Sequence, residues 1–101
     1  MWLFTMFDLP VKTPAQKKRH VQFRKALLGE GFTMLQYSVY ARFCQSEESG
    51  EAFSGHLRSL LPPEGRVRML AVTDRQFGKM RSFIGQKNAA VESAPEQFLL
   101  F

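Results

Sequence analysis

The chain has little that could cross-link it. Cys44 is its one cysteine, so no internal disulfide can form, and a single thiol fits a reducing compartment. Its two histidines, His20 and His56, stand far apart. No His/Cys cluster has the spacing of a zinc site. No apolar run approaches the ~20 residues that a membrane helix needs, so no membrane partner is expected. Met1 to Phe7 is apolar, but it lacks a basic flank and runs into Asp8-Leu9-Pro10. It therefore reads as a strand and not as a signal peptide. Neither G-x-x-x-x-G-K-S/T nor G-x-G-x-x-G occurs, which leaves nucleotide-binding loops unsupported. Ser38 has no His/Asp set that would make it a nucleophile.

Aromatic side chains and positive charge are what the sequence has in quantity. Ten Phe, two Tyr and one Trp sit among 101 residues, with 45% hydrophobic and 23% charged residues. One globular domain over 1–101 is expected, with a core to about residue 80 and a C-terminal extension over 81–101. At this size a core is marginal, and dimerisation would help. The formal charge is +5 and the pI near 9.8. That excess points to a polyanionic partner.

The hydrophobic pattern gives the order of elements. Trp2 to Phe7 is apolar on both faces and predicts a buried strand, ended by Asp8-Leu9-Pro10. Thr13-Pro14 reads as an N-cap with proline at the first helical position, and Gly29 to Gly31 as the stop. Val21, Phe23, Leu27 and Leu28 form the apolar arc of that helix, and His20 and Arg24 fall inside it. Phe32 to Phe43 predicts one long strand, or two short ones bent near Gln36-Tyr37. Gln45 to Gly50 reads as a polar loop. Phe53, Leu57, Leu60 and Leu61 predict a second helix, stopped by Pro62-Pro63. Val67 to Thr73 reads as a strand, Thr73 to Gln76 as a capped helical turn, and Gln97 to Phe101 as a last strand. The order is that of an α+β, ferredoxin-like split β-α-β domain: an antiparallel sheet with two helices on one face.

Two groups of residues could carry chemistry. Asp8, at a strand end, could hold Mg²⁺, a hard cation that takes oxygen ligands and keeps several waters. By spacing alone the better reading is a turn residue bonded to its own backbone. One acid makes a poor metal site unless a two-fold axis brings a second Asp8 near it. Lys12, Lys17, Lys18, Arg19, Arg24 and Lys25 crowd the first helix and its approach. Such clusters bind phosphate backbones, or they simply form a solvated face. Tyr37-Ser38-Val39-Tyr40 places a hydroxyl mid-strand between two aromatics, which suit a core better than a base-stacking surface.

The motifs, taken in order, resemble a known family. They are Met6-Phe7-Asp8-Leu9-Pro10, Phe23-Arg24-Lys25-x-Leu27-Leu28, Gly31-Phe32, Gln36-Tyr37-Ser38-Val39-Tyr40 and Leu70-x-Val72-Thr73-x-x-Gln76-Phe77. Together they resemble Cas2, the smaller CRISPR adaptation protein, in a form similar to that of type II systems. Gly85-Gln86-Lys87-Asn88 belongs to the same likeness. The resemblance implies a ferredoxin-like homodimer in a bacterial cytoplasm. Such a dimer bridges two dimers of the CRISPR integrase and helps to hold double-stranded prespacer DNA. It also implies a Mg²⁺- or Mn²⁺-dependent endonuclease acting on RNA or DNA, with Asp8 as catalytic residue and metal ligand. Lys12, Lys17, Lys18, Arg19 and Lys25, with Arg66 and Arg68, are the expected phosphate contacts. A ferredoxin-like RNA-binding or regulatory module unrelated to CRISPR is the alternative.

Overall fold

The computed structural model describes residues 1–85. Strand β1 (Trp2–Asp8) is followed by helix α1 (Pro14–Gly29), strands β2 (Thr33–Gln36) and β3 (Val39–Phe43), helix α2 (Glu47–Ser59), strand β4 (Arg66–Val72) and a short helix α3 (Asp74–Gly78). The sheet order is β2-β3-β1-β4. β1 runs antiparallel to both of its neighbours. This is the split β-α-β, ferredoxin-like arrangement that the pattern predicts. The expected strand Gln97 to Phe101 lies outside the described residues.

Local chemistry explains the boundaries. Pro10 lacks an N–H and cannot extend a central strand. A capping box opens α1: the Gln16 amide donates to Thr13 Oγ1 at 3.1 Å, and the Thr13 amide donates back to Gln16 Oε1 at 3.1 Å. That satisfies donors which a helix start otherwise leaves unpaired. Thr73 and Gln76 repeat the device at α3.

The long aromatic stretch resolves into the bent alternative. Gln36 pairs with Val39, so Tyr37 and Ser38 form the turn. Ser38 adopts φ 63, a left-handed conformation that no strand interior uses. It therefore lies in the turn and not mid-strand. The polar loop after β3 is shorter than expected. Ser46 caps α2, accepting from the Ser49 amide at 3.2 Å, and Glu47 and Glu48 fall in the first turn, where the helix dipole favours negative charge. At the other end α2 stops at Ser59, so Leu60 and Leu61 lie past it, exposed, and not on its buried face.

Alternation along β1 divides the molecule. Leu3, Thr5 and Phe7 face α1 and α2 and join Phe23, Leu27, Phe32, Tyr40 and Leu57 in the core. Phe7 meets Phe23 edge-on at 5.2 Å and Tyr40 in a stack at 5.7 Å. Val21 and Leu28, expected in the α1 arc, are exposed instead, and Phe23 and Leu27 are the residues that α1 buries. Arg24 is likewise exposed. Cys44 is buried, and desolvation pushes its thiol above the ordinary thiol range.

The other face of the sheet is covered at one end only. Phe77 of α3 stacks on Trp2 at 4.2 Å and meets Phe4 edge-on at 5.6 Å. This third helix lies opposite α1 and α2. Phe43 and Leu70, on the same face, remain 48% and 53% exposed.

Thr5 is fully buried at the centre of β1, and its hydroxyl has no partner. A buried donor left unpaired costs ~1–3 kcal/mol. Thr5→Val removes the hydroxyl at nearly constant shape. It is expected to hold stability or raise it by about 1 kcal/mol, read as the midpoint of urea unfolding.

Candidate functional site

Asp8 is the last residue of β1 and is exposed. It shares a face with Trp2, Phe4 and Met6, on the side away from α1 and α2. Across the ladder Asp8 opposes Arg66, and Met6 opposes Arg68. Directly opposed residues have Cβ atoms ~5 Å apart, so the carboxylate and Arg66 are neighbours. Met6, Asp8, Ser38, Val39, Arg66 and Arg68 line a cavity of about 330 Å³. The Phe7 amide donates to the Ser38 carbonyl at 3.1 Å, which ties the β2–β3 turn to the end of β1.

The charges in this cleft are unspent. Among the described residues, no ion pair or side-chain hydrogen bond engages Asp8, Arg66 or Arg68. Three groups that could hold a phosphate or a cation are thus presented to solvent together. Asp8 is not the self-bonded turn residue of the alternative reading.

The backbone entering β4 shapes the cleft. Gly65 has φ +95, and a Cβ there would stand 2.7 Å from the Asp8 carbonyl oxygen and 2.7 Å from Leu9 Cδ2. Only glycine fits such a pass. Sequence reasoning missed Gly65 and the turn role of Ser38. The signal for Gly65 was its place after Pro62-Pro63-Glu64, a turn-rich run between a helix and a strand.

The donor set limits what metal could sit here. No group of three or more His, Cys, Asp or Glu residues lies together among the described residues. One open carboxylate fits an ion such as Mg²⁺, which keeps several waters and is bound by one or two carboxylates plus substrate phosphates. It does not fit an all-protein cage.

The expected phosphate contacts fall on two surfaces. Lys12 precedes α1, and Lys17, Lys18 and Lys25 are exposed along it. Arg24 joins them, seven residues and two turns from Lys17; its placement in the apolar arc concealed it. Arg19 is differently engaged. It pairs with Glu64 at 3.2 Å, and Gln16 donates to the same carboxylate at 3.0 Å. These contacts tie α1 to the approach of β4. Arg66 and Arg68 lie on the opposite side of the sheet, with Asp8, so the fold does not bring them to the helix cluster. His20 is half-buried between Phe7 and Tyr37, with ring centroids at 5.7 and 6.2 Å, the packed role that its place in the arc predicts.

Fold and cleft together define a small ferredoxin-like protein with a lone strand-end carboxylate set among arginines. The chain belongs to the Cas2 family: the family model for CRISPR associated protein Cas2 matches residues 1–80. It is 45% identical over 101 residues to the CRISPR-associated endoribonuclease Cas2 of Parvibaculum lavamentivorans, covering 100% of both chains. It is 40% identical to that of Flavobacterium psychrophilum, over 100% of this chain and 88% of the relative. The crystal structure of Streptococcus pyogenes Cas2 superposes with a TM-score of 0.64 at 17% identity, over 82% of this chain and 99% of that one, and shares the fold. Membership sets aside a module unrelated to CRISPR.

The close pass at Gly65 can be tested against a glycine with room around it. Gly65→Ala is expected to lose ~1–3 kcal/mol through backbone strain, and to shift the amide resonances of Asp8 and Leu9. Gly55, inside α2, has nothing within 4 Å of where an added methyl group would stand. Gly55→Ala should instead gain ~0.5–1 kcal/mol from helix propensity.

Proposed function

We propose that this protein acts in CRISPR spacer acquisition as a homodimer that binds double-stranded prespacer DNA and bridges dimers of the CRISPR integrase in the bacterial cytoplasm. The observation that carries this reading is the division of the molecule into two unlike sides. One side of the sheet is an incompletely covered apolar face, with Phe43 and Leu70 half-exposed. A second copy closing over it would bury that surface, as small domains need. The other side carries α1, whose Lys17, Lys18, Arg24 and Lys25 are exposed and without ion-pair partners among the described residues. Such a helix suits phosphates along a duplex and reads no bases. Lys12 extends it at one end. Arg19, already paired with Glu64, contributes less.

The cleft favours a second reading, phosphodiester hydrolysis at Asp8. The relatives are named endoribonucleases, and Asp8, Arg66 and Arg68 stand together with no internal partners. In this reading Asp8 is the catalytic carboxylate and holds Mg²⁺ or Mn²⁺. The ion, when bound, supplies an acidified water and polarises a phosphoryl oxygen. Arg66 and Arg68 take the non-bridging phosphate oxygens, for which the guanidinium fork is well shaped. The two readings are compatible, because duplex binding uses α1 on one side of the sheet and hydrolysis uses Asp8 on the other.

Binding to duplex DNA should be insensitive to sequence and should weaken steeply with salt. Replacing Lys17, Lys18 and Lys25 by Ala together should flatten the log–log salt dependence by about 0.9 for each phosphate no longer neutralised. An unchanged affinity and slope would make the helix a solvated face. Asp8→Asn keeps shape and removes charge. It is expected to abolish any Mg²⁺-dependent cleavage while leaving integration by purified integrase intact. Loss of integration from an intact complex would overturn the scaffold reading.

A further inference from the structure

We infer that Arg66 and Arg68 make the Asp8 cleft a site for a metal–phosphate pair and not for a bare divalent cation, so that nucleic acid sets the metal affinity of the protein. The inference rests on the reading of Asp8 as a metal ligand and deepens it.

Three charged groups line the cavity: Asp8, Arg66 and Arg68. Its other lining residues, Met6, Phe7, Ser38 and Val39, are neutral. One carboxylate against two guanidinium groups leaves the cleft positive. Neither arginine is neutralised elsewhere, since no ion pair engages them among the described residues. Arg66 is fixed directly across from Asp8 by strand register, and Arg68 lies one pleat further on the same face.

The magnitude follows from charge and distance. A divalent cation on Asp8 would stand ~7 Å from a guanidinium, given cross-strand spacing. In water at ~0.1 M salt, that repulsion weakens metal binding about threefold per arginine, and more at low salt. A second copy does not relieve it, because each added Asp8 brings its own Arg66 and Arg68. A phosphodiester does. Its negative charge offsets the guanidinium groups, which hydrogen-bond its oxygens. Its remaining oxygens are ligands of the kind Mg²⁺ and Mn²⁺ take beside water. Arg66 therefore acts as a positioning residue: it disfavours the free ion and favours the phosphate that brings oxygen ligands.

Mn²⁺ binding to the full chain, read from the electron paramagnetic resonance of free Mn²⁺, tests this without any cleavage assay. It is measured alone, with a short single-stranded RNA and with a duplex DNA of the same sequence, subtracting Mn²⁺ held by nucleic acid alone. The natural protein should bind Mn²⁺ weakly by itself and several-fold more tightly with at least one nucleic acid. Arg66→Gln should bind Mn²⁺ about threefold more tightly than the natural protein in the absence of nucleic acid at ~0.1 M salt. Its gain on adding nucleic acid should be smaller. That difference should vanish near ~1 M salt, where the Debye length is about 3 Å, as a structural role for Arg66 would not. Arg66→Lys keeps the charge and should match the natural protein in the metal-only arm. Thermal melting confirms that both variants are folded. If Arg66→Gln leaves metal affinity unchanged or lower while Asp8→Asn abolishes binding, the inference is overturned and the Asp8 ligand stands. If Asp8→Asn binds Mn²⁺ as the natural protein does in every arm, the ligand reading fails and the inference with it.

Discussion

A slip of β1 by one residue against either neighbour would exchange the two faces of this sheet. Side chains alternate with a period of two, so Leu3, Thr5 and Phe7 would turn outward and Asp8 would turn toward the helices. The pairing of β1 with β3 and β4 on both edges prevents this, and the core holds the register. Phe7 is locked by Phe23 and Tyr40, and Leu3 by the same cluster. Asp8 is therefore placed by the packing of Phe7 beside it and Leu3 further along the strand. The carboxylate needs no hydrogen bond of its own to be aimed, because the pleat aims it. The buried, unpaired Thr5 hydroxyl sits in the same row, and the strand tolerates its cost because both flanking positions are filled by large apolar groups.

The crossovers do the remaining positioning. α1 carries the chain over one face, and the Arg19–Glu64 pair links it to the turn that leads into β4. An exposed pair of this kind contributes at most ~1 kcal/mol. Its value lies in where it sits. Glu64 immediately precedes Gly65, whose tight pass over Asp8 and Leu9 starts β4 in register with β1. A contact on the helix side of the sheet thus steadies the strand that presents Arg66 and Arg68 on the other.

The sequence made the elements legible wherever one periodicity was strong or a cap was present. Thr13-Pro14 and Thr73 to Gln76 announced α1 and α3, and the apolar β1 announced itself. The misses have physical causes. Val21 and Leu28 lie in the helical arc by spacing, yet the sheet is too narrow a floor to cover them. Leu60 and Leu61 continue an apolar spacing past the point where α2 ends. Ser38 lies in a sequence of strong β-formers, and the pairing of Gln36 with Val39 and its positive φ reveal it as a turn. The side of the sheet on which α3 lies depends on which partner Phe77 meets, and no local pattern encodes that. Asp8 was legible as a strand-end acid. Its company was not, because Arg66 is a neighbour only through antiparallel pairing across some sixty intervening positions.

The separation of charge between the two faces bears on how one small domain could serve two roles. The α1 cations stand on the side of the core helices, where a duplex could lie along them without touching Asp8. The Asp8 cleft opens on the apolar face, beside the surface that the proposed second copy would cover. A duplex on α1 and a phosphate at Asp8 would therefore be held by different residues through different physics. The first is diffuse and counterion-driven; the second is a directed bond between guanidinium and phosphate oxygens. Loss of charge on α1 should leave the geometry of the cleft alone, because Phe23 and Leu27, and not the lysines, fix that helix to the sheet. Conversely, β4 presents its arginines from an edge of the sheet, where no strand pairs with its outer side among the described residues; such an edge can take a strand of another chain. Any partner that adds a strand there would lie directly beside the cleft. A contact at that edge would thus be adjacent to the Asp8 cleft by construction, whereas a duplex lying on α1 would be remote from both.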